Sequence, residues 1–259
     1  MESIKICADL KHELSLGIRF QIHSCFQHAI NLQGEDGSFC SLLAQGKPLA
    51  PKSVLVPFDN LRVFGDEGSF VHFDDQYFHF ESGVKVGISK ALPIHLKPSG
   101  VDDRCLSILS REIHSFINHY PVKSFFQNQS HDRCLMDLVT ALQMGNCQKE
   151  LKKIVGWGNG LTPSGDDFCV GLAWVLMVTN DRRFESFVAQ LNELSPRTTD
   201  ISAMMFHNLQ QGLFIEPLVK MGSATSSEEF NKLFSQVATI GHSSGMDTLY
   251  GLTWGLEHL

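Results

Sequence analysis

The segment GWGNGLTPSGDDF, residues 156–168, joins a glycine-rich turn to the start of an apolar helix. Gly156, Gly158 and Gly160 alternate ahead of Pro163. Glycine adopts positive φ easily and lets a ligand approach the main chain closely. The unpaired N–H groups and the positive dipole at a helix N-terminus attract anions. The segment therefore predicts an anion-binding turn, although its glycine spacing matches neither a Walker loop nor a dinucleotide fingerprint.

Two arrangements of this helix start agree with the sequence. In the first, Thr162 is the N-cap and Pro163 takes the first helical position, which suits its fixed φ. In the second, Ser164 is the N-cap and Asp167, three residues later, completes a capping box. Neither arrangement requires Asp166. Two adjacent carboxylates at such a helix end are explained if they orient donors, accept a proton or bind a metal ion.

A second segment near the C-terminus, GHSSGMDTLYGL at residues 241–252, resembles the first. An offset of 80 residues places Ser164 on Ser244, and the two segments then share the pattern S-G-x-D-x-x-x-G-L. The last glycine of this pattern lies one helical turn after the aspartate, where a small residue lets two helices pack closely. We therefore predict that the two helices pack together, with both N-termini facing one anion-binding pocket.

Candidate site residues come from these two segments and from the hydroxyl-rich and acidic positions between them. The predicted catalytic groups are Asp166, Asp167 and Asp247. The predicted substrate-binding residues are Gly158, Gly160, Thr162, Ser164, Gly165, Thr199, Ser202, Glu216, His242, Ser243, Ser244 and Gly245. Two of them have ordinary structural alternatives, because Thr199 or Asp200 is a good N-cap and Glu216, before Pro217, is a good helix end. No HExxH motif or Cys/His cluster predicts zinc.

Apolar residues recur with one period in the first part of the chain and with another in the second part. Alternating apolar residues from Phe20 to Leu32, a turn at residues 34–37 and further short alternating runs are typical of antiparallel strands. The later strands are predicted at residues 39–43, 53–58, 69–73, 77–80 and 84–88. From Asp102 onward apolar residues recur every three or four positions, and Ser226-x-x-Glu229 is a capping box. The fold class is therefore α+β, with an N-terminal antiparallel β-barrel or sandwich at residues 1–97 and a mostly α-helical domain at residues 98–259.

Composition limits the classes of partner and the compartment. The chain has 259 residues and a formal net charge of −7. Its basic residues are scattered, so no basic stripe predicts binding to nucleic acid. No apolar run reaches the roughly 20 residues of a membrane helix. Seven dispersed cysteines without a CxxC pair favour reduced thiols. We therefore expect a soluble cytoplasmic protein that binds neither nucleic acid nor a membrane.

Three motifs together resemble one known family. They are Gly158-x-Gly160-Leu161-Thr162-Pro163-Ser164-Gly165-Asp166-Asp167, Thr198-Thr199-x-x-Ser202 and Gly241-His242-Ser243-Ser244-Gly245-x-Asp247. The combination is similar to the AllH-type subunit of oxamate carbamoyltransferase, and the strand Ala29-Ile30-Asn31-Leu32 extends the similarity into the first half. The resemblance implies anaerobic allantoin catabolism, in which oxalurate and phosphate become oxamate and carbamoyl phosphate. It also implies two partners, an FdrA-like and an AllG-type subunit.

The implied substrates agree with the two helix starts, because oxalurate is a carboxylate and phosphate is a second anion. Paired helix N-termini with hydroxyl groups would hold both anions and stabilise an oxyanion. No cofactor is expected under this interpretation. Two alternatives remain open. One is a stand-alone hydrolase of a small amide or phosphate ester, with Mg²⁺ bound by Asp166, Asp167, Glu216 and Asp247. The other is a non-catalytic subunit that senses anions or acts as a scaffold.

Overall fold

The computed structural model describes residues 2–14, 17–127 and 132–259. The chain divides into two compact units, Met1–Leu96 and Lys97–Leu259. Strands dominate the first unit and helices the second, so the α+β fold class is confirmed. The division falls close to the point at which the hydrophobic period changes from two to between three and four.

In its described residues, the first unit contains nine strands that form one sheet, and a short helix. The strands are β1 (Lys5–Cys7), β2 (Arg19–Cys25), β3 (Ala29–Gly34), β4 (Phe39–Leu43), β5 (Ser53–Leu55), β6 (Phe70–Phe73), β7 (Tyr77–Phe80), β8 (Lys85–Gly87) and β9 (Leu92–Ile94). The helix α1 (Ala8–Glu13) follows β1. The order across the sheet is β8-β7-β6-β2-β3-β4-β5-β1-β9. Most neighbouring strands are antiparallel, whereas β4–β5 and β1–β9 are parallel.

Alternating burial explains the strands and the curl of the sheet. Every second residue of β2 and β3 is buried, and the inward residues include Phe20, whose ring lies 6.0 Å from that of Phe78. The sheet curls until the segment before β1 reaches β8, where the Ser3 N–H donates to the Gly87 carbonyl over 2.8 Å. A β-bridge between Glu2 and Gly87 reinforces this contact. The sheet is therefore a half-barrel, which is closer to the barrel than to the sandwich of the two predicted alternatives.

Several predicted strands need different bounds. The hairpin around the turn at residues 34–37 is confirmed, because β3 and β4 pair across it. The alternation from Phe20 to Leu32 covers two strands, and Phe26 lies in their connection with 43% of its surface exposed. The strand predicted at residues 53–58 ends at Leu55. β1, α1 and β9 were not predicted, because β1 and β9 do not alternate between polar and apolar residues and α1 is only six residues long.

The second unit contains nine α-helices in its described residues. They are α2 (Asp103–His119), α3 (Asp132–Gln143), α4 (Gln148–Ile154), α5 (Ser164–Val178), α6 (Phe184–Glu193), α7 (Asp200–Gln210), α8 (Glu216–Met221), α9 (Ser227–Ala238) and α10 (Ser244–His258). The predicted capping box is confirmed, since Ser226 Oγ accepts from the Glu229 N–H and the Glu229 carboxylate accepts from the Ser226 N–H. All residues of α5 except Val170 and Met177 are buried, so α5 lies in the core of the unit.

The free cysteines and the lengths of the helices agree with what the composition predicts. All seven cysteines are free, as predicted. Cys40 and Cys147 are buried, and burial raises the pKa of the Cys147 thiol to about 11. They therefore behave as small apolar residues. Across the described ranges, no helix combines the length and the apolar character that crossing a membrane requires.

The most extensive contact between two elements joins α5 and α10. A Cβ added to Gly171 would lie 2.0 Å from the Thr248 carbonyl oxygen, and one added to Gly251 would lie 2.0 Å from the Phe168 carbonyl oxygen. A Cβ added to Gly255 would lie 2.8 Å from the side chain of Val175. Gly255 lies one turn after Gly251, and Val175 lies one turn after Gly171, so the two helices run in the same direction. The predicted close packing at the matched glycines is confirmed.

Replacing Gly171 with alanine should destabilise the helical unit strongly. The added methyl group would overlap the backbone of α10, which cannot move without moving the whole helix. Denaturant unfolding should show a loss of about 3 kcal/mol, the upper part of the range for overpacking. The matched control is Gly145→Ala, where φ is +86° but no atom lies within 4 Å of the added Cβ. That variant should lose only about 1 kcal/mol of backbone strain, and equal losses in the two variants would contradict the packing argument.

Candidate functional site

The starts of α5 and α10 are built in the same way. A Cβ on Gly165 would lie 1.9 Å from the Ile154 carbonyl oxygen, and one on Gly245 would lie 1.9 Å from the Val237 carbonyl oxygen. Each glycine therefore lets the last turn of the preceding helix, α4 or α9, press against the first turn of the next one. The N–H groups of the same two glycines donate to loop carbonyls, over 2.8 Å in α5 and 3.1 Å in α10. The shared sequence pattern thus corresponds to a shared local structure.

The caps of α5 differ from both predicted arrangements. Pro163 is the N-cap and Ser164 is the first helical residue, and no side chain caps the helix. The prediction of Thr162 or Ser164 as N-cap is therefore wrong. The physical reason is that the Thr162 hydroxyl has another partner, because its Oγ1 lies 2.9 Å from Ser244 Oγ at the start of α10. This hydrogen bond places the two helix N-termini side by side.

The aspartates of the two segments exchange hydroxyl partners. The Ser244 hydroxyl interacts with the carboxyl group of Asp167, and the Ser164 hydroxyl interacts with that of Asp247. These two pairs are equivalent under the offset of 80 residues. The same offset relates the contact of Gly171 with the Thr248 carbonyl to that of Gly251 with the Phe168 carbonyl. The site therefore has approximate two-fold symmetry, with the carboxyl groups beneath the hydroxyl groups of both helix starts.

Asp167 and Asp247 form a buried carboxyl pair, with 4% and 0% of their surface exposed. Burial raises the pKa of Asp247 and raises the pKa of Asp167 well above its usual range, and the neighbouring Asp247 raises the latter further. Asp247 Oδ1 accepts hydrogen bonds from Ser124 Oγ over 2.7 Å and from the Phe125 N–H over 2.8 Å. Among the described residues, Oδ2 of each aspartate is buried without a hydrogen-bond partner.

Asp166 has a different position from its neighbour. Its Oδ1 accepts from the Gly156 N–H over 2.8 Å, and its Oδ2 accepts from the Thr198 hydroxyl. Burial raises its pKa, and these two hydrogen bonds counteract the increase. Both carboxylate oxygens are thus engaged with the backbone and side chains around the glycine-rich turn. Asp166 orients the turn, which is one of the roles considered for it.

Thr199 connects the glycine-rich turn to α7. Its Oγ1 accepts from the Ser202 N–H over 3.1 Å, so Thr199, one of the two predicted candidates, is the N-cap of α7. The same hydroxyl donates to the Leu161 carbonyl oxygen. Within the turn, Gly158 and Gly160 have φ of +119° and +99°. A Cβ on Gly158 would lie 2.7 Å from the Ser164 nitrogen, so glycine keeps the space in front of this helix start open.

The remaining predicted residues have more distant or more exposed positions. Glu216 begins α8, so its prediction as a helix end is wrong, because Pro217 fits the first helical turn. Its carboxylate pairs with the Lys220 ammonium group over 2.8 Å. α8 contacts α5 through a hydrogen bond from Trp174 Nε1 to the Leu218 carbonyl oxygen, nearly three turns beyond the start of α5. His242 is exposed in the turn before α10.

Three residues of the site were not predicted as site residues: Ser124, Phe125 and Thr198. Thr198 had a signal, since it adjoins Thr199 in a hydroxyl-rich stretch. Ser124 and Phe125 had none, because they lie in the connection between α2 and α3, far along the chain from Asp247. Within the described part of the chain, no group of three or more His, Cys, Asp or Glu side chains is arranged to hold a metal ion.

Asp167 should make the chain less stable as the pH rises. Its pKa is raised by folding, so the folded chain binds this proton more tightly than the unfolded chain. The free energy of unfolding should therefore fall as the pH rises from about 4 through the raised pKa, by about 1.4 kcal/mol for each unit of the shift. Asp167→Asn removes this charge, so its stability should depend less on pH and exceed that of the wild type at about pH 8.

Thermal unfolding at several pH values measures this difference. The control is Asp137→Asn, which changes an exposed aspartate on α3 and should follow the wild type. If Asp167→Asn were less stable than the wild type at the alkaline end, the buried carboxylate would be stabilising and the assignment would be wrong.

Two family models match this chain. The model described as oxamate carbamoyltransferase subunit AllH matches residues 154–256, a range that contains both helix starts. The model described as the AllH family N-terminal domain matches residues 2–94. No solved structure matches the chain. The two family matches lie in the two structural units and together span most of the sequence, and the chain therefore belongs to the AllH family.

Proposed function

We propose that the chain acts in an oxamate carbamoyltransferase complex and that the paired starts of α5 and α10 hold the anions of its reaction. The observation that carries this proposal is the 2.9 Å contact between Thr162 Oγ1 and Ser244 Oγ, which joins the two helix N-termini. One helix N-terminus suits one anionic group. Two of them side by side suit a reaction in which one carboxylate and one phosphate take part.

The donors available at the site agree with this role. The N–H groups of Gly165 and Gly245 are bonded to loop carbonyls. The N–H groups of Ser164 and Ser244 have no backbone acceptor among the described residues. Neither helix start uses a side-chain cap, so hydroxyl groups remain beside these N–H groups. Such fixed donors, supported by two helix dipoles, stabilise negative charge without reorganising during the reaction.

The proposed reaction is the phosphorolysis of oxalurate. A phosphate oxygen attacks the carbamoyl carbon, and the carbonyl oxygen becomes an oxyanion that the helix-start donors stabilise. The bond between this carbon and the oxamate nitrogen then breaks, and the nitrogen takes up a proton. The products are carbamoyl phosphate and oxamate. Holding both anions in one site supplies the orientation that a reaction between two like-charged molecules needs.

The partners and the compartment are part of the proposal. FdrA-like and AllG-type subunits complete the catalytic site, and the complex works in the cytoplasm, where free cysteines persist. The reaction requires no redox or organic cofactor. The Mg²⁺-dependent hydrolase is less well supported, because Asp166 uses both carboxylate oxygens within the turn and Glu216 pairs with Lys220.

Replacing Ser244 with alanine should reduce turnover of the complex. The change removes a hydroxyl at the junction of the two helix starts and leaves the backbone in place. With both partner subunits co-expressed, kcat for oxalurate phosphorolysis should fall about 100-fold, the usual loss for one oxyanion donor. The measurement is carbamoyl phosphate formation with phosphate and oxalurate at saturation.

The control for this experiment is Ser235→Ala, on the exposed face of α9, where the hydroxyl donates to a carbonyl of its own helix. It should leave turnover unchanged. Full turnover by Ser244→Ala would contradict the assignment of the helix starts to the catalytic site. No phosphorolysis by the complex of unaltered subunits would contradict the proposed reaction.

A further inference from the structure

The buried carboxyl pair beneath the helix starts is incompletely satisfied. Asp167 Oδ2 and Asp247 Oδ2 are both buried without a hydrogen-bond partner among the described residues. A buried carboxylate oxygen without a donor is costly, and two neighbouring negative charges add to the cost. One proton on the pair removes one of the charges. Carboxyl groups placed in this way titrate together, with the first proton held strongly.

The surroundings decide which carboxyl group holds the proton. Asp247 receives two hydrogen bonds, from Ser124 Oγ and the Phe125 N–H, and both favour its charged form. Asp167 interacts with the hydroxyl groups of Ser244 and Thr162, and among the described residues no backbone N–H donates to it. The asymmetry assigns the charge to Asp247 and the proton to Asp167.

The charged groups that act on Asp167 among the described residues agree with this assignment. The titratable groups that act on it are Asp247 on α10 and Asp166 on its own helix, and both raise its pKa. The thiol of Cys169 lies further along α5 and that of Cys147 just before α4, and burial keeps both neutral by raising their pKa. All of these neighbours are acidic groups or neutral thiols, so they favour the neutral form of Asp167.

The hydroxyl groups transmit the state of Asp167 to the helix starts. A charged Asp167 accepts the hydrogen of the Ser244 hydroxyl, so this hydroxyl presents lone pairs towards Thr162 and any ligand. A protonated Asp167 donates to Ser244 Oγ instead, and the Ser244 hydrogen then points outward. Because Thr162 Oγ1 lies 2.9 Å from Ser244 Oγ, the change extends to both helix starts. Outward hydrogens attract an anion, whereas outward lone pairs repel it.

We propose that the paired helix starts take up one proton when an anion binds there, and that Asp167 is the positioning residue that carries this proton. The proposal rests on the anion site described under the proposed function. It adds to that site the requirement that Asp167 be neutral when the anion is bound. Anion and proton then favour each other's binding, as thermodynamic linkage requires.

The test uses the full chain and sulfate, whose charge does not change over the neutral range. Calorimetric titrations from about pH 5 to 9 should show the dissociation constant of the wild type rising about tenfold per pH unit above the pKa of the pair. Heats measured in buffers of different ionisation enthalpy should show uptake of about one proton per sulfate on that limb. Asp137→Asn, on the exposed face of α3, should behave as the wild type does.

Asp167→Asn imitates the protonated state, because its amide N–H₂ donates to Ser244 Oγ. It should bind sulfate as tightly as the wild type does at low pH, and with no dependence on pH. Ser244→Ala breaks the connection, so it should bind more weakly and also without dependence on pH. Together the two variants distinguish the effect of the proton on Asp167 from the effect of the Ser244 hydroxyl group.

Each contrary result has a distinct meaning. Binding of sulfate by the wild type with the same affinity at every pH would overturn the proton coupling and leave the anion site intact. A folded Asp167→Asn variant that fails to bind sulfate at low pH would also overturn it. Absence of sulfate binding by the folded wild type at every pH would contradict the anion site of the proposed function, and the coupling with it.

Discussion

The close approach of α5 and α10 at Gly171 and Gly251 is the constraint on which the helical unit depends. Each glycine lies against a carbonyl oxygen of the other helix, so backbone touches backbone where side chains would normally separate two helices. The contact lies one turn beyond the aspartates. At that distance it fixes the spacing of the two helix starts, and it brings Ser244 to Asp167 and to Thr162.

The approximate two-fold symmetry of the site is incomplete at two places. The first segment has a second acid, Asp166, which holds the glycine-rich turn, whereas the second segment has Met246 in its place. The connection between α2 and α3 donates hydrogen bonds to Asp247. Two similar carboxyl groups therefore have different surroundings and different affinities for a proton. Such a difference is what allows one member of a pair to stay neutral while the other stays charged.

Local constraints explain what the sequence could predict. The pattern S-G-x-D-x-x-x-G-L revealed the helix pair, because close packing and the tight helix start both require glycine at set positions. The Ser226 capping box was also local and was predicted correctly, and the cap of α7 was predicted to within one residue, as Thr199 or Asp200. In the first unit, the hairpin between β3 and β4 followed from its turn residues and its alternation.

Partners that are distant along the chain explain most of what the sequence could not predict. Thr162 was expected to cap its own helix, but its hydroxyl bonds to Ser244. Nothing around Ser124 indicated that its hydroxyl would meet Asp247. Glu216 was placed at a helix end, although the proline that follows it suits a helix start equally well.

The central claim is that the two helix starts form a single pocket, in which an anion contacts both of them. The most direct test is to titrate the ¹⁵N-labelled chain with sulfate and to follow the backbone amide signals of Ser164 and Ser244, which begin α5 and α10. If the claim is correct, both signals shift along one binding curve with a common dissociation constant. If one amide shifts alone, or the two follow different constants, the helix starts are not one site.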